Sequence, residues 1–326
     1  MPQPTQTAVH VDAVLSNISV AYIPKQDQFI AAKAFPMVPV DHQTDKYWKY
    51  TKEDWFRDEA RRRADASESS GSGYNLGTDS YSCDVYAHHK DIGDKTKANA
   101  DKGLNLSEDA VRFVTTRLLL RQELQFVADA FTTGVWGTDV SGAVTGNGTT
   151  TRTYWNDYAN SDPIEDVEDA KEQILRNTGY KANVLIVGYQ VWRKLKNHPL
   201  FIDRIKFTSS DAITKQIVAR YFEVDEILVA ESIYVSSKEG ASSPTFAFAF
   251  GKSALLMYRT PNPGLLEPTA GYTFVWNGVS GNLGLPVAIS SFRMEHLKAE
   301  RIEGECAWDN KIVATDLGYF FSGIVQ

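Results

Sequence analysis

Tyr47, Trp48, Tyr50, Trp55 and Phe56 crowd one short stretch of the chain, interleaved with Lys49, Lys52, Glu53, Asp54 and Arg57. Large aromatics in near-alternation with charged residues favour a strand with one apolar face. A polar stretch follows, Arg61-Arg62-Arg63 and then Ser67 to Gly73, before a second alternating run that sets Tyr81, Cys83, Val85 and Ala87 on one face. The pattern predicts a long two-stranded hairpin with a Ser/Gly tip. An isolated two-stranded ribbon is marginally stable at best, and little adjacent sequence is able to cover so many rings. Either a neighbouring subunit covers them, or the ribbon folds back onto its own domain.

The flanking sequence has a clear order. Pro2, Pro4, Pro24, Pro36 and Pro39 break up the first forty residues and predict an extended arm. A long helix is expected from Ser107 to Phe131, with Ser107 as N-cap, Glu108 and Asp109 at its positive end, and Val111, Val114, Leu118, Leu124, Val127 and Phe131 as its stripe. At 1.5 Å per residue it spans about 37 Å, enough to serve as the spine of a flat domain. Residues 132 to 161 read as a Gly/Thr-rich loop or short hairpin. Asp162 and Pro163 then open a helix striped by Ile164, Val167, Ala170 and Ile174 and closed by Gly179. A buried strand at Val184 to Val187, helices near 190–196 and 211–222, a strand at 226–234 and another through Phe246, Phe248 and Phe250 make an α/β module. From Gly271 onward strands are expected at 272–276, 287–294 and 307–314, interrupted by a polar stretch from Glu295 to Glu305. The length of 326 residues fits roughly two domains of about 150 residues.

Recognisable chemistry is sparse. Thirty-four basic against 41 acidic side chains leave a formal charge of −7, which argues against a large basic footprint for nucleic acid. Cys83 and Cys306 stand alone and are read as buried thiols, not as a disulfide or zinc framework. No N-terminal basic and apolar signal and no membrane-length apolar run is present in this sequence. Gly71, Gly73 and Gly77 lack both the spacing and the strand-to-helix context of a dinucleotide loop, and Ser280 misses the nucleophile-elbow pattern by one position. His88 and His89 point to opposite faces of a strand and cannot share a metal. The acidic run Glu165, Asp166, Glu168, Asp169 and Glu172 reads as a solvated helix face. The expectation is a chain with no catalytic, cofactor-binding or metal-ligating residues, and not an enzyme.

Beyond these patterns, the order of elements resembles the major capsid protein of a tailed bacteriophage with the HK97-type fold. The segments that carry the resemblance are 45–60 (DKYWKYTKEDWFRDEA), 73–92 (GYNLGTDSYSCDVYAHHKDI), 131–139 (FTTGVWGTD), 161–188, 197–206 (NHPLFIDRIK) and 292–321. The resemblance implies an α+β fold divided into an N-terminal arm (1–44), an extended E-loop hairpin (45–92), a first part of a P-domain with a spine helix at 107–131 (93–161), an α/β A-domain (162–270), and P-domain return strands with the C-terminus (271–326). It implies self-assembly into hexamers and pentamers of an icosahedral shell that encloses double-stranded DNA without gripping it tightly. Such a shell is assembled in the bacterial host cytoplasm and ends in the virion, with no membrane. Partners implied are a separate scaffolding protein, a portal protein and a decoration protein. Trp48, Trp55, Phe56, Arg57, Arg61, Arg62 and Arg63 are the expected intersubunit contacts, the rings as apolar anchors and the arginines as partners for acidic groups on a neighbour. An encapsulin-like compartment shell is the nearest alternative. An α/β enzyme with a β-rich accessory region is the other.

Overall fold

A computed structural model describes residues 24–100, 105–206, 214–264, 267–280 and 287–326. Two sheets organise them, each with its own core. The six-stranded sheet runs in the order Thr151–Thr153, Thr138–Ala143, Gly318–Ser322, Ala254–Met257, Val184–Gly188 and Glu226–Ala230. It is mixed, with antiparallel pairing only on the two sides of Ala254–Met257. Val184 to Val187 are buried without alternation, as expected of a strand covered on both faces. The helix Pro163–Thr178 packs there through Ile164, Val167, Ala170 and Ile174. Its ends follow the sequence: Asp162 Oδ1 accepts from the N–H groups of Ile164 and Glu165, and Gly179 closes it at φ +75°.

The five-stranded sheet is built around one long strand, Ala299–Ile312. It pairs with Ala288–Met294 on one side and with Asp84–Gly93 on the other, and its C-terminal end pairs with Gly271–Trp276, which in turn pairs with Met37–Val40. The expected strand at 307–314 therefore begins eight residues earlier, and the polar interruption shrinks to a turn at 295–298. The reason is alternation across a two-sided sheet: Ile302, Gly304 and Cys306 face the long helix, while Glu303 and Glu305 stand on the opposite side. Gly304 permits that approach, since a Cβ there would sit 2.6 Å from Val114 Cγ1.

The long helix, Leu106–Ala130, ties the two cores together. Val114 and Leu118 pack on Cys306 and Trp308 of the five-stranded sheet, whereas Phe126 and Ala130 enter the core of the six-stranded sheet. Asn105, not Ser107, is its cap, accepting from the Glu108 N–H at 3.3 Å. Its buried face turns to Gln122, Glu123 and Phe126 in the second half, leaving Leu124 and Val127 only partly covered. The proline-rich opening is not extended throughout. Ala31–Ala34 is a helical turn whose neighbour Phe35 meets Phe126 edge-on at 5.0 Å, so this stretch belongs to the core; residues 1–23 lie outside those described.

Other expectations shift in detail. The 226–234 strand is two, Glu226–Ala230 and Ile233–Val235, the second pairing with Phe246–Phe248 in a small separate ribbon. The helix expected over 211–222 is Lys215–Tyr221, with 211–213 outside the described residues. Asp166 is not on a solvated face. It is buried, 3.1 Å from Arg152 Nη1, and accepts from Trp155 Nε1 at 2.8 Å, which pins the 144–161 connection to the helix.

Candidate intersubunit surface

Thr44–Tyr50 pairs antiparallel with Leu76–Ser82, Thr44 opposite Ser82 and Tyr50 opposite Leu76. The ribbon is shorter than expected because the chain changes sheets at Cys83. Tyr81 and Cys83 are buried against Phe274 and Ala307. From Asp84 the strand joins Ala299–Ile312, and the face that packs inward becomes Tyr86, His88 and Ile92. Val85 and Ala87 keep the face of Cys83, as their spacing suggested, opposite Ala307 and Glu305, but beyond Phe274 that face is left exposed. Both thiols are buried, and burial pushes Cys83 and Cys306 each up to about 12, which favours the protonated thiol over the thiolate.

Beyond Tyr50 the chain forms a helical turn, Lys52–Trp55, and then an irregular loop back to Asn75. Asp54 anchors the return: its Oδ2 accepts from Asn75 N at 2.8 Å and from Asn75 Nδ2 at 3.1 Å. Tyr47 lies inside the ribbon and donates its hydroxyl proton to Asp79 at 3.0 Å. Tyr50, Trp55 and Tyr74 form a ring cluster with centroids 5.8 to 6.2 Å apart. It stays in water: Trp48 is 60% exposed, Trp55 58%, Phe56 64% and Tyr74 62%. Exposed rings at this density mark a surface that a partner covers.

Part of the ribbon end touches its own chain. Lys52 Nζ lies 2.5 Å from Asp316 Oδ2, and the Phe56 ring sits 3.2 Å from the position a Cβ would take on Gly179. Phe56 thus caps the C-terminus of helix Pro163–Thr178 in the same subunit. Of the expected contact residues, Trp48 and Trp55 point to solvent, Phe56 is split between solvent and Gly179, and Arg57 sits 3.9 Å from Glu53. Arg61, Arg62 and Arg63 are exposed along the loop; Arg63 donates to the Ser67 carbonyl, and Arg61 and Arg62 form no ion pair among the described residues. Tyr50, Tyr74 and Leu76 belong to the same surface. Tyr74 adjoins the Ser/Gly tip and reads as part of a turn, and only its spacing to Leu76 hints at a strand face.

Elsewhere the described residues contain no cluster of His, Cys, Asp and Glu able to hold a metal, and no helix among them is long and apolar enough to cross a membrane. Among the described residues, Glu123 is the most deeply buried carboxylate. It accepts from the N–H of Ile30 at 3.0 Å, from Ala31 N at 2.8 Å and from Ser232 Oγ at 3.0 Å, and burial raises it to about 6. It ties the first helical turn to the long helix and bears no mark of a reacting group.

No protein-family model matches the chain. Over 326 aligned residues, 96% of either chain, it is 28% identical to the major capsid protein of Burkholderia phage BcepMu. The chain carries the HK97-type fold of phage major capsid proteins. It is also 24% identical to the major capsid protein of Pseudomonas phage JBD67, across 97% of each chain. Among solved structures, a phage-related protein from Bordetella bronchiseptica superposes with a TM-score of 0.68 at 23% identity, covering 92% of this chain and 94% of the other. The capsid of Cyanophage P-SCSP1u gives 0.60 at 10% identity, covering 96% and 92%. An encapsulin from Synechococcus elongatus gives 0.55 at 10%, covering 95% and 94%, so this capsid fold is shared by phage shells and a bacterial compartment.

Proposed function

We propose that this chain is the non-enzymatic structural subunit of a tailed-phage head, assembling into hexamers and pentamers of an icosahedral shell around double-stranded DNA. The full-length match to the BcepMu major capsid protein carries this reading, because it runs through the ribbon, the long helix and both sheets without a gap of domain size. In this assignment residues 45–92 act as the E-loop, the helix Leu106–Ala130 as the spine of the P-domain, and residues 162–270, which hold three of the six strands of the six-stranded sheet, as most of the A-domain. The uncovered rings of Trp48, Trp55 and Tyr74 lie over a neighbouring subunit, with Arg57 and Arg61 to Arg63 setting register against its acidic groups. Weak contacts suffice because each is repeated around a closed surface. A separate scaffolding protein, a portal protein and a decoration protein are the partners this role calls for, and assembly takes place in the host cytoplasm.

Negative-stain microscopy of the purified full chain tests the reading. Closed shells, or rings of five and six subunits, are expected; a protein that stays monomeric or dimeric at every concentration overturns it. The encapsulin neighbour supports a second reading, a compartment with protein cargo. Particles isolated from the native source decide between them by holding DNA or an enzyme.

A further inference from the structure

Three cations stand in a row on the helix-bearing side of the five-stranded sheet. Arg117 and Arg121 lie four residues apart on the helix Leu106–Ala130, about 6 Å along its axis. Lys90 projects from the adjoining strand Asp84–Gly93. Each is held over an aromatic face: Lys90 Nζ and the Arg117 guanidinium lie 5.4 Å and 5.1 Å from the centre of the Phe113 ring, and the Arg121 guanidinium lies 5.2 Å from that of Tyr86. Tyr86 is itself stacked on Trp308 at 4.4 Å, so the support is rigid. None of the three forms an ion pair among the described residues.

The surrounding acids form no ion pair with them, although Asp129 lies close enough to feel the charge of Arg121 through the Gln125 bridge. Glu108 is taken by Arg112 at 2.6 Å, and Asp129 accepts from Gln125 and Asn310. Asp109 is exposed two turns towards the helix N-terminus. Glu303 and Glu305 stand on the other side of the sheet, since Ile302, Gly304 and Cys306 face the helix. In a chain whose formal charge is −7, this side of the sheet keeps a positive stripe. Arg121 Nη2 donates to Gln125 Oε1 at 2.8 Å, and the remaining outer N–H groups of the stacked guanidinium planes face solvent, where phosphate oxygens can reach them.

We infer that this stripe, Lys90, Arg117 and Arg121 over Phe113 and Tyr86, is the surface with which the subunit meets the phosphodiester backbone of double-stranded DNA. A protein segment fits it less well. The Phe113 ring already carries two cations, so a docking helix would compete with them for it, whereas a phosphate backbone needs no apolar anchor. Duplex DNA carries one charge per about 1.7 Å of axis, so any sequence presents partners to three fixed cations. The contact is weak and sequence-blind, which suits a wall that must not impede packing. It rests on the shell reading in one respect: a shell whose inner wall is the helix side of the five-stranded sheet brings the stripe to the enclosed genome.

The test is fluorescence anisotropy of a short random-sequence duplex with the purified full chain across a salt series. Three neutralised phosphates give a slope of log affinity against log salt near −2.7, about a 40-fold loss between about 50 and 200 mM salt. R117Q/R121Q is expected to flatten the slope to near −0.9, about a 3- to 4-fold loss over the same range. R193Q/K194Q carries the same change of charge on the helix Tyr189–Leu195 and should keep the wild-type curve. The proposal is overturned if R117Q/R121Q binds like the wild type, if the control loses as much, or if the wild type shows no salt-dependent binding. Displacement of the duplex by polyglutamate at equal charge concentration would also overturn it, marking the stripe as a receiver for an acidic protein segment. The shell reading fails separately, on micrographs of the wild type without shells, and the binding curves decide the stripe in either case.

Discussion

Glu123 shows how far one side chain departs from its position in a pattern. Helical spacing points to Leu124 as the core residue, yet the carboxylate next to it is buried without a cation and is held by two backbone N–H groups and the Ser232 hydroxyl. Desolvation outweighs these bonds and lifts it from 4.5 to about 6. The folded chain therefore binds this proton more tightly than the unfolded one. The resulting stability is fully present below about 4.5 and is lost as pH rises through about 6, an effect of up to about 2 kcal/mol. Denaturant midpoints of the unassembled wild type and E123Q, measured from pH 4.5 to 7.5, check this: their difference should change across that window, and parallel curves would refute the role. Gly304 presents the opposite case, a residue defined by what it lacks. G304V would push Val114 and Leu118 off the strand, costing on the order of 1–3 kcal/mol, read as a lowered urea midpoint.

At the level of elements, the ribbon is the least self-sufficient part of the molecule. Its strands are paired and its return is anchored by Asp54, and among the described residues Lys52–Asp316 and Phe56–Gly179 bind its end to the rest of the subunit. An exposed ion pair contributes about 0.2–1 kcal/mol, so the attachment is easily given up for a larger apolar contact. K52A/F56A should raise the rate of limited proteolysis within residues 57–75 several-fold while leaving the thermal midpoint of the cores within about a degree or two, the loop being peripheral to them. Equal cleavage of wild type and variant would show that the own-chain contacts do not hold the ribbon. By contrast, the helix Pro163–Thr178 is specified locally at both ends, and its cap and stripe agree with its packing.

For the whole molecule, the helix Leu106–Ala130 enters both cores, and Ile312 of the long strand and Ala270 also pack into the core of the six-stranded sheet. The exposed aromatic cluster and the positive stripe lie on different elements, the ribbon end and the helix side of the five-stranded sheet, so the proposed assembly surface and the proposed DNA contact can be tested apart. Deleting residues 61–73 tests the first alone. Shells should form less readily or dissociate at lower denaturant concentration than wild type, as seen by light scattering and microscopy, while duplex binding by the unassembled chain is unchanged. Shells of wild-type stability would show that the loop is not an assembly clamp.

Local chemistry was legible wherever one residue's neighbours in sequence are also its neighbours in space. Asp162, Pro163 and Gly179 bracket a helix, Val184 to Val187 form a buried strand, and the rings from Tyr47 to Phe56 mark a ribbon that its own chain leaves largely uncovered. The full length of Ala299–Ile312, the change of covered face after Cys83, the burial of Asp166 and Glu123, and the row of Lys90, Arg117 and Arg121 were not legible in that way. Each depends on partners far away in the chain. A strand's polar residues are tolerated only once a sheet gives them a second face, a buried carboxylate is stable only where distant N–H groups meet it, and scattered cations become a stripe only when a helix is laid beside a strand.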